Sequence, residues 1–215
     1  IPRVNAQPSP CGRACQPCQK SGGIDWLHVS EVSAPMVDAN PAEIVAFWRD
    51  AGAPKWFNGG QEFDADCRHR FEEAHQAAAR GELAAWLNDA ESSLALLILL
   101  DQIPRNIYRD SGHAFATDGL ARRYAREALK AGHDAHCEAD LRGFFYLPFE
   151  HSESMADQHR SVELFAALDN HVMYEFALKH REVIEKFGRF PHRNAALGRV
   201  STPDELAWLE AGGGF

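Results

Sequence analysis

From Asn40 onward, apolar residues recur every three or four positions almost everywhere, which is the period of a helix and not the alternation of a strand. Asn40-Pro41 reads as an N-cap followed by proline at the first helical position. Ile44, Val45, Phe47 and Trp48 then give one apolar face, and Gly52-Ala53-Pro54 ends it. Phe63, Cys67, Phe71, Ala74 and Ala78 predict a long second helix, interrupted at Gly81 and continued briefly by Leu83, Trp86 and Leu87. Residues 91–103 are apolar nearly all round, so this helix is expected at the centre of the fold.

Leu120, Tyr124 and Leu129 predict a helix that begins at Thr117-Asp118 and stops at Gly132. Residues 141–149 are strongly apolar, with Pro148 as a kink or an end. Ser154 or a neighbour caps a helix carrying Val162, Leu164, Phe165 and Leu168. Asn170 opens a long one with Val172, Phe176, Val183, Ile184 and Phe187, closed by Gly188. Ser201-Thr202-Pro203-Asp204-Glu205 starts the last, with Leu206, Trp208 and Leu209 behind it. No segment has the pattern of a strand. The short loops predict an all-α single domain of about ten helices, built from antiparallel hairpins in a tetratricopeptide-repeat-like superhelix. No 34-residue self-similarity accompanies it.

Residues 1–35 break the pattern. They hold five of the 11 prolines and three of the five cysteines, with no apolar period. They are expected to be a disordered tail or a non-native extension, with the helical domain at 36–215. Cys11, Cys15 and Cys18 have the spacing of a three-thiolate iron–sulfur loop, and His28 adds a fourth donor for zinc. Nothing after them alternates strand and helix, so a Cys-rich unstructured tail is the expectation. Cys67 and Cys137 fall in helical segments and are expected to be reduced.

Composition narrows the function classes. Twenty-two basic against 31 acidic residues give a net charge of −9, a poor balance for neutralising nucleic-acid phosphates. No apolar run reaches the length of a membrane span and no leader sequence is readable, so no membrane partner and a cytoplasmic location are expected.

Three polar segments stand out against this apolar background. The first is 100–109, where an apolar helix ends in Asp101, Gln102, Arg105 and Asn106 around Pro104; Asp101 and Arg105, four apart, are placed to pair. The second is 149–159, where Glu150, Glu153 and Asp157 would share one face if helical, beside His151. Such crowding suits a general acid or base, a divalent metal, or simply an exposed helix start. The third is 187–194, where Arg189, His192, Arg193 and Asn194 follow Gly188 and flank Pro191, as if projecting from a helix start that favours anions. In the first and third segments an internal pairing network competes with a functional role. Glu72-x-x-His75 is half of a di-iron signature with no second half, and His133-x-x-His136 reads as an exposed loop.

Together these segments carry a resemblance. Phe47-Trp48, Lys55-Trp56-Phe57, Phe63-Asp64, residues 100–106, 147–153 and 187–194 occur in the order seen in the bacterial family catalogued as domain of unknown function 924. The resemblance spans roughly residues 40–210. It implies an all-helical, tetratricopeptide-repeat-like fold and supplies no activity.

The segments are therefore expected to converge on one pocket that binds a small anionic or zwitterionic metabolite, or a peptide end. Asp101, Arg105, Asn106, Glu153, Arg189, Arg193 and Asn194 are the candidate ligand contacts, with Arg105 and Arg193 meeting the anion. His151 and His192 are the candidate proton carriers, with Glu150 orienting one of them. No cofactor and no metal ligand set is assigned. Two alternatives remain: an enzyme using His/Glu acid–base or metal-assisted chemistry, and a helical adaptor for a protein partner.

Overall fold

The computed structural model describes residues 39–214, within the compact unit Val37–Phe215. The expectations for residues 1–35, including Cys11, Cys15, Cys18 and His28, lie outside the described residues. The described chain is helical, without a strand. In order it forms α1 (Pro41–Trp56), α2 (Gly60–Ala79), α3 (Ala90–Leu97), α4 (Ile103–Ile107), α5 (Asp118–Ala131), α6 (Leu147–Glu150), α7 (Met155–Ala166), α8 (His171–Phe187) and α9 (Pro203–Glu210).

The helix ends follow local chemistry. Asn40 Oδ1 accepts the Ala42 N–H at 3.0 Å, Asp89 caps Ser92 at 3.0 Å and Asn170 caps Met173 at 3.1 Å. Gly52 breaks the axis of α1 at φ 66°, although helix resumes through Pro54 to Trp56. Gly188 closes α8 in the left-handed region at φ 69°. Thr202 and Glu205 form a reciprocal capping box at the start of α9.

The core lies where expected. Leu94 and residues 96–100 are buried around the whole circumference of the α3 segment, and each such side chain contributes about 1.5–3 kcal/mol. α1 and α5 pack on α3, α2 on α4, and α7 on α8. Gly143 lets α8 approach closely, because a Cβ there would lie 2.6 Å from Met173 Sδ.

Three elements differ from the sequence expectation. Residues 91–103 are not one helix: α3 passes into a π-turn, Ile98–Gln102, before α4. Pro148 neither kinks nor ends a helix but opens α6, where its missing N–H costs nothing. The buried face of α8 is Met173, Ala177, His180, Val183 and Ile184, whereas Val172 and Phe176 point to solvent.

Candidate functional site

The π-turn creates the first wall of the site. Ile103 N–H donates to Ile98 O, one residue further back than in an α-helix, which releases Leu99 O. Pro104 has no N–H for Leu100 O. Side chains take both carbonyls: His75 Nδ1–H donates to Leu99 O at 2.8 Å and the Thr117 hydroxyl to Leu100 O at 2.6 Å. The wide turn carries Asp101 and Gln102 inward and aims Arg105 across the start of α5.

The second wall is the tight turn after α6. Gln158, fully buried on α7, donates to both Glu150 O and Ser152 O at 2.6 Å. The Ser152 hydroxyl reaches Asp157 at 2.8 Å. This frame fixes Glu150 and His151. The third wall is His180 on α8 with the short turn Pro191–Arg193 beyond it.

These walls meet. His151 Nδ1 lies 2.9 Å from both oxygens of Asp101, and Gln102 donates to Asp101 at 2.6 Å. Arg105 reaches Asp101 at 3.4 Å and Asp118 at 3.0 Å. Arg193 Nη1 donates to Asp118 at 3.2 Å and to His151 O at 3.1 Å. The Arg193 guanidinium is sandwiched by the rings of Phe115 and Phe190, at 4.6 and 4.5 Å. Glu150 Oε1 lies 3.2 Å from His180 Nδ1, and the His151 and His180 rings are 6.1 Å apart. Asp101 is 1% exposed and Arg105 20%, with His151 at 13%, so solvent reaches the cluster along His151 and Arg105.

Burial dominates the electrostatics. It opposes the Asp101 charge, but Arg105, His151 and Gln102 outweigh it and hold the carboxyl below its usual range. It pushes Glu150 well above the usual range, reinforced by the Asp101 charge. It lowers His151, with help from Arg105 and against Asp101, and it lowers His180 well below an ordinary histidine. His192 is pushed down to about 4 by burial and by Arg193, and Arg193 itself down to about 10 by burial and by Arg105. The guanidinium ions of Arg105 and Arg193 thus face Asp101 and Asp118, among imidazoles that burial holds toward the neutral form and a Glu150 that burial holds toward the protonated form. Because Asp101 is ionised, His151 Nδ1 holds the proton and Nε2 presents a lone pair.

Of the candidate residues, Asp101, Arg105, Glu150, His151 and Arg193 come together, and His192 stands beside Phe190, ring centroids 5.5 Å apart. The other four serve the scaffold. Asn106 donates to Gln102 O at 3.1 Å. Glu153 pairs with Arg199 at 2.8 Å and accepts the Phe190 N–H at 2.8 Å. Arg189 is bidentate to Glu205 at 2.6 and 2.8 Å, and Asn194 donates to Ser201 and Glu205. Pro191 opens only a three-residue 3₁₀ turn, so no anion-binding helix start forms there. Nor do Glu150, Glu153 and Asp157 share a face. The chain turns between α6 and α7, and Asp157 goes to Arg122, Arg126 and Ser152 instead. Half-buried His133 reaches Leu87 O at 3.0 Å, so only His136 of that pair is exposed.

Sequence pattern does not single out Asp118, Phe115 or His180. Asp118 reads as part of a helix start and Phe115 as a loop aromatic. His180 leaves one legible trace, a polar residue in the buried spacing Met173, Ala177, His180, Ile184. Clefts of about 510 and 200 Å³ lie elsewhere, one beside Lys55, Gly59 and His69 and the other beside Arg49, Leu94 and Glu138.

Among the described residues, no helix is long and apolar enough to cross a membrane. No curated protein matches the chain. A solved structure of a protein of unknown function from Agrobacterium tumefaciens is 51% identical, with a TM-score of 0.77, and the match covers 80% of this chain and 97% of that one. The family model described as a bacterial protein of unknown function, DUF924, matches residues 44–213. The chain belongs to this family.

Proposed function

We propose that the buried polar centre binds a small anionic or zwitterionic metabolite, with a peptide end as the other ligand of the same chemistry. The observation that carries this is the stacking of Arg193 between Phe115 and Phe190, with its Nε buried and without a hydrogen-bond partner. An unsatisfied buried donor costs about 1–3 kcal/mol, and an anion entering beside His151 and Arg105 would offset that cost. The acidic net charge and the site chemistry favour a small molecule over nucleic acid, and a cytoplasmic location suits such a ligand.

A differential thermal shift with inorganic phosphate, citrate, acetate and free amino acids tests the proposal. At least one should raise Tm in the native protein and leave Arg193→Ala unshifted. A ligand at a hundred times its Kd stabilises by about 2.7 kcal/mol. Equal shifts in both proteins, or none in either, contradict it.

The Asp101–His151 contact favours a second reading, chemistry on the bound molecule, since a carboxylate that fixes one ring nitrogen leaves the other available to react. The adaptor alternative draws on Asn106, Glu153, Arg189 and Asn194, which are all consumed in holding segments together. It gives no role to a charge-balanced centre buried at Asp101 and Arg193.

A further inference from the structure

We infer that Glu150, His151 and His180 form a binding site for one divalent transition-metal ion of the zinc class, with an open coordination position facing Arg193. The inference deepens the proposed anion site and rests on it for the occupant of that open position.

The three residues each offer a ligand atom, and these atoms lie within 4.8 Å of one another. All three are well covered: Glu150 is 3% exposed and His180 6%, with the His151 side chain at 13%. Two independent features point to a ligand here. Glu150 Oε2 is buried and has no hydrogen-bond partner, although a carboxyl group so deep in a protein ordinarily has both oxygens engaged. One of the histidines is also oriented from behind. His151 Nδ1–H donates to the Asp101 carboxylate at 2.9 Å, whereas His180 Nδ1 lies 2.9 Å from Phe176 O and 3.2 Å from Glu150 Oε1. A second hydrogen bond of this kind is what orients a metal-bound imidazole and makes its Nε2 the donor nitrogen.

The donor set selects the ion. Two imidazoles with one carboxylate suit zinc or a neighbouring transition ion, whereas magnesium and calcium prefer an all-oxygen shell. Three protein ligands leave a position for water or substrate. The charges agree with this. The two guanidinium ions are already balanced by Asp101 and Asp118, so a dication with an ionised Glu150 adds one net positive charge. An anion in the open position would neutralise it.

The test is a titration of the full chain with Co²⁺ and Zn²⁺ after chelator treatment, without added anion. Its background is a Cys11→Ser/Cys15→Ser/Cys18→Ser variant, which removes thiolates as competing ligands. One equivalent should bind, and Glu150→Gln and His180→Gln should each abolish it. Asp101→Asn should weaken it about 10–100-fold. X-ray absorption on the zinc-loaded protein should show two imidazoles and an oxygen, and this readout stands even if a variant fails to fold. No binding, binding unaffected by both Glu150→Gln and His180→Gln, or a sulfur shell overturns the site. The anion shifts measured on chelator-treated protein and on Arg193→Ala fail or succeed separately, so the two proposals are distinguishable.

Discussion

His151 Nδ1 stands 2.9 Å from both carboxylate oxygens of Asp101, fifty residues away in the chain. Arg105 and Gln102 hold the same carboxylate. Asp101→Asn removes the charge and leaves Arg105 with the Asp118 carboxylate and the backbone carbonyl of residue 101. Breaking a buried pair of this kind costs about 3–5 kcal/mol. Urea unfolding should show a loss near the lower figure, because the amide keeps one hydrogen bond. A variant as stable as the native protein would mean that the pair is not buried as described.

The π-turn depends on a hydroxyl. Thr117→Val keeps the shape of the side chain but leaves Leu100 O without a donor, since Pro104 offers none. The expected loss is about 1–3 kcal/mol, with Thr117→Ser recovering most of it. Equal stability of the Val and Ser variants would rule out the hydroxyl as the cap.

Two residues one position apart on α8 separate the observed face from the expected one. Met173 is buried against Gly143, so Met173→Ala should cost about 2–5 kcal/mol. Val172 is 65% exposed, and Val172→Ser should stay within about 0.5 kcal/mol. Chemical denaturation of the two variants reads the difference directly, and the reverse order would restore the face that the apolar pattern predicts.

The α9 cap carries a pH signature. Glu205 is held down to about 2 against its ordinary 4.5, first by the hydrogen bond from Arg189 and then by the Thr202 N–H. A carboxyl lowered in the folded state stabilises fully above its unfolded value and loses that contribution as pH falls toward the folded one. The Tm gap between native protein and Glu205→Gln should therefore be widest at neutral pH and narrow below 4.5. A gap that stays constant through that range contradicts the Arg189–Glu205 pairing.

The helices were legible because apolar period, caps and punctuating glycines agree: Asn40, Asn170, Gly132 and Gly188 all sit where their chemistry places them. The convergence of Asp101, Arg105, His151 and Arg193 was legible as well, because polar heads interrupt otherwise apolar segments. The π-turn was not, since a shift of one hydrogen bond leaves the apolar pattern of residues 94–103 unchanged. The fates of Arg189 and Asn194 depend on α9 folding back to supply Glu205, a contact that no local spacing encodes. Phe176 looked like core because it is apolar, while the inward position four residues on belongs to His180. A buried histidine thus displaced the apparent face by one residue.

Asp101 fixes the proton of the His151 ring on Nδ1 and leaves the lone pair on Nε2. Long-range ¹H–¹⁵N NMR of the histidine rings at neutral pH tests it most directly, with His151 assigned by comparison with His151→Gln. The account predicts a neutral ring protonated at Nδ1, reverting to a mixed tautomer in Asp101→Asn. A ring protonated at Nε2, or one indifferent to Asp101→Asn, would contradict it.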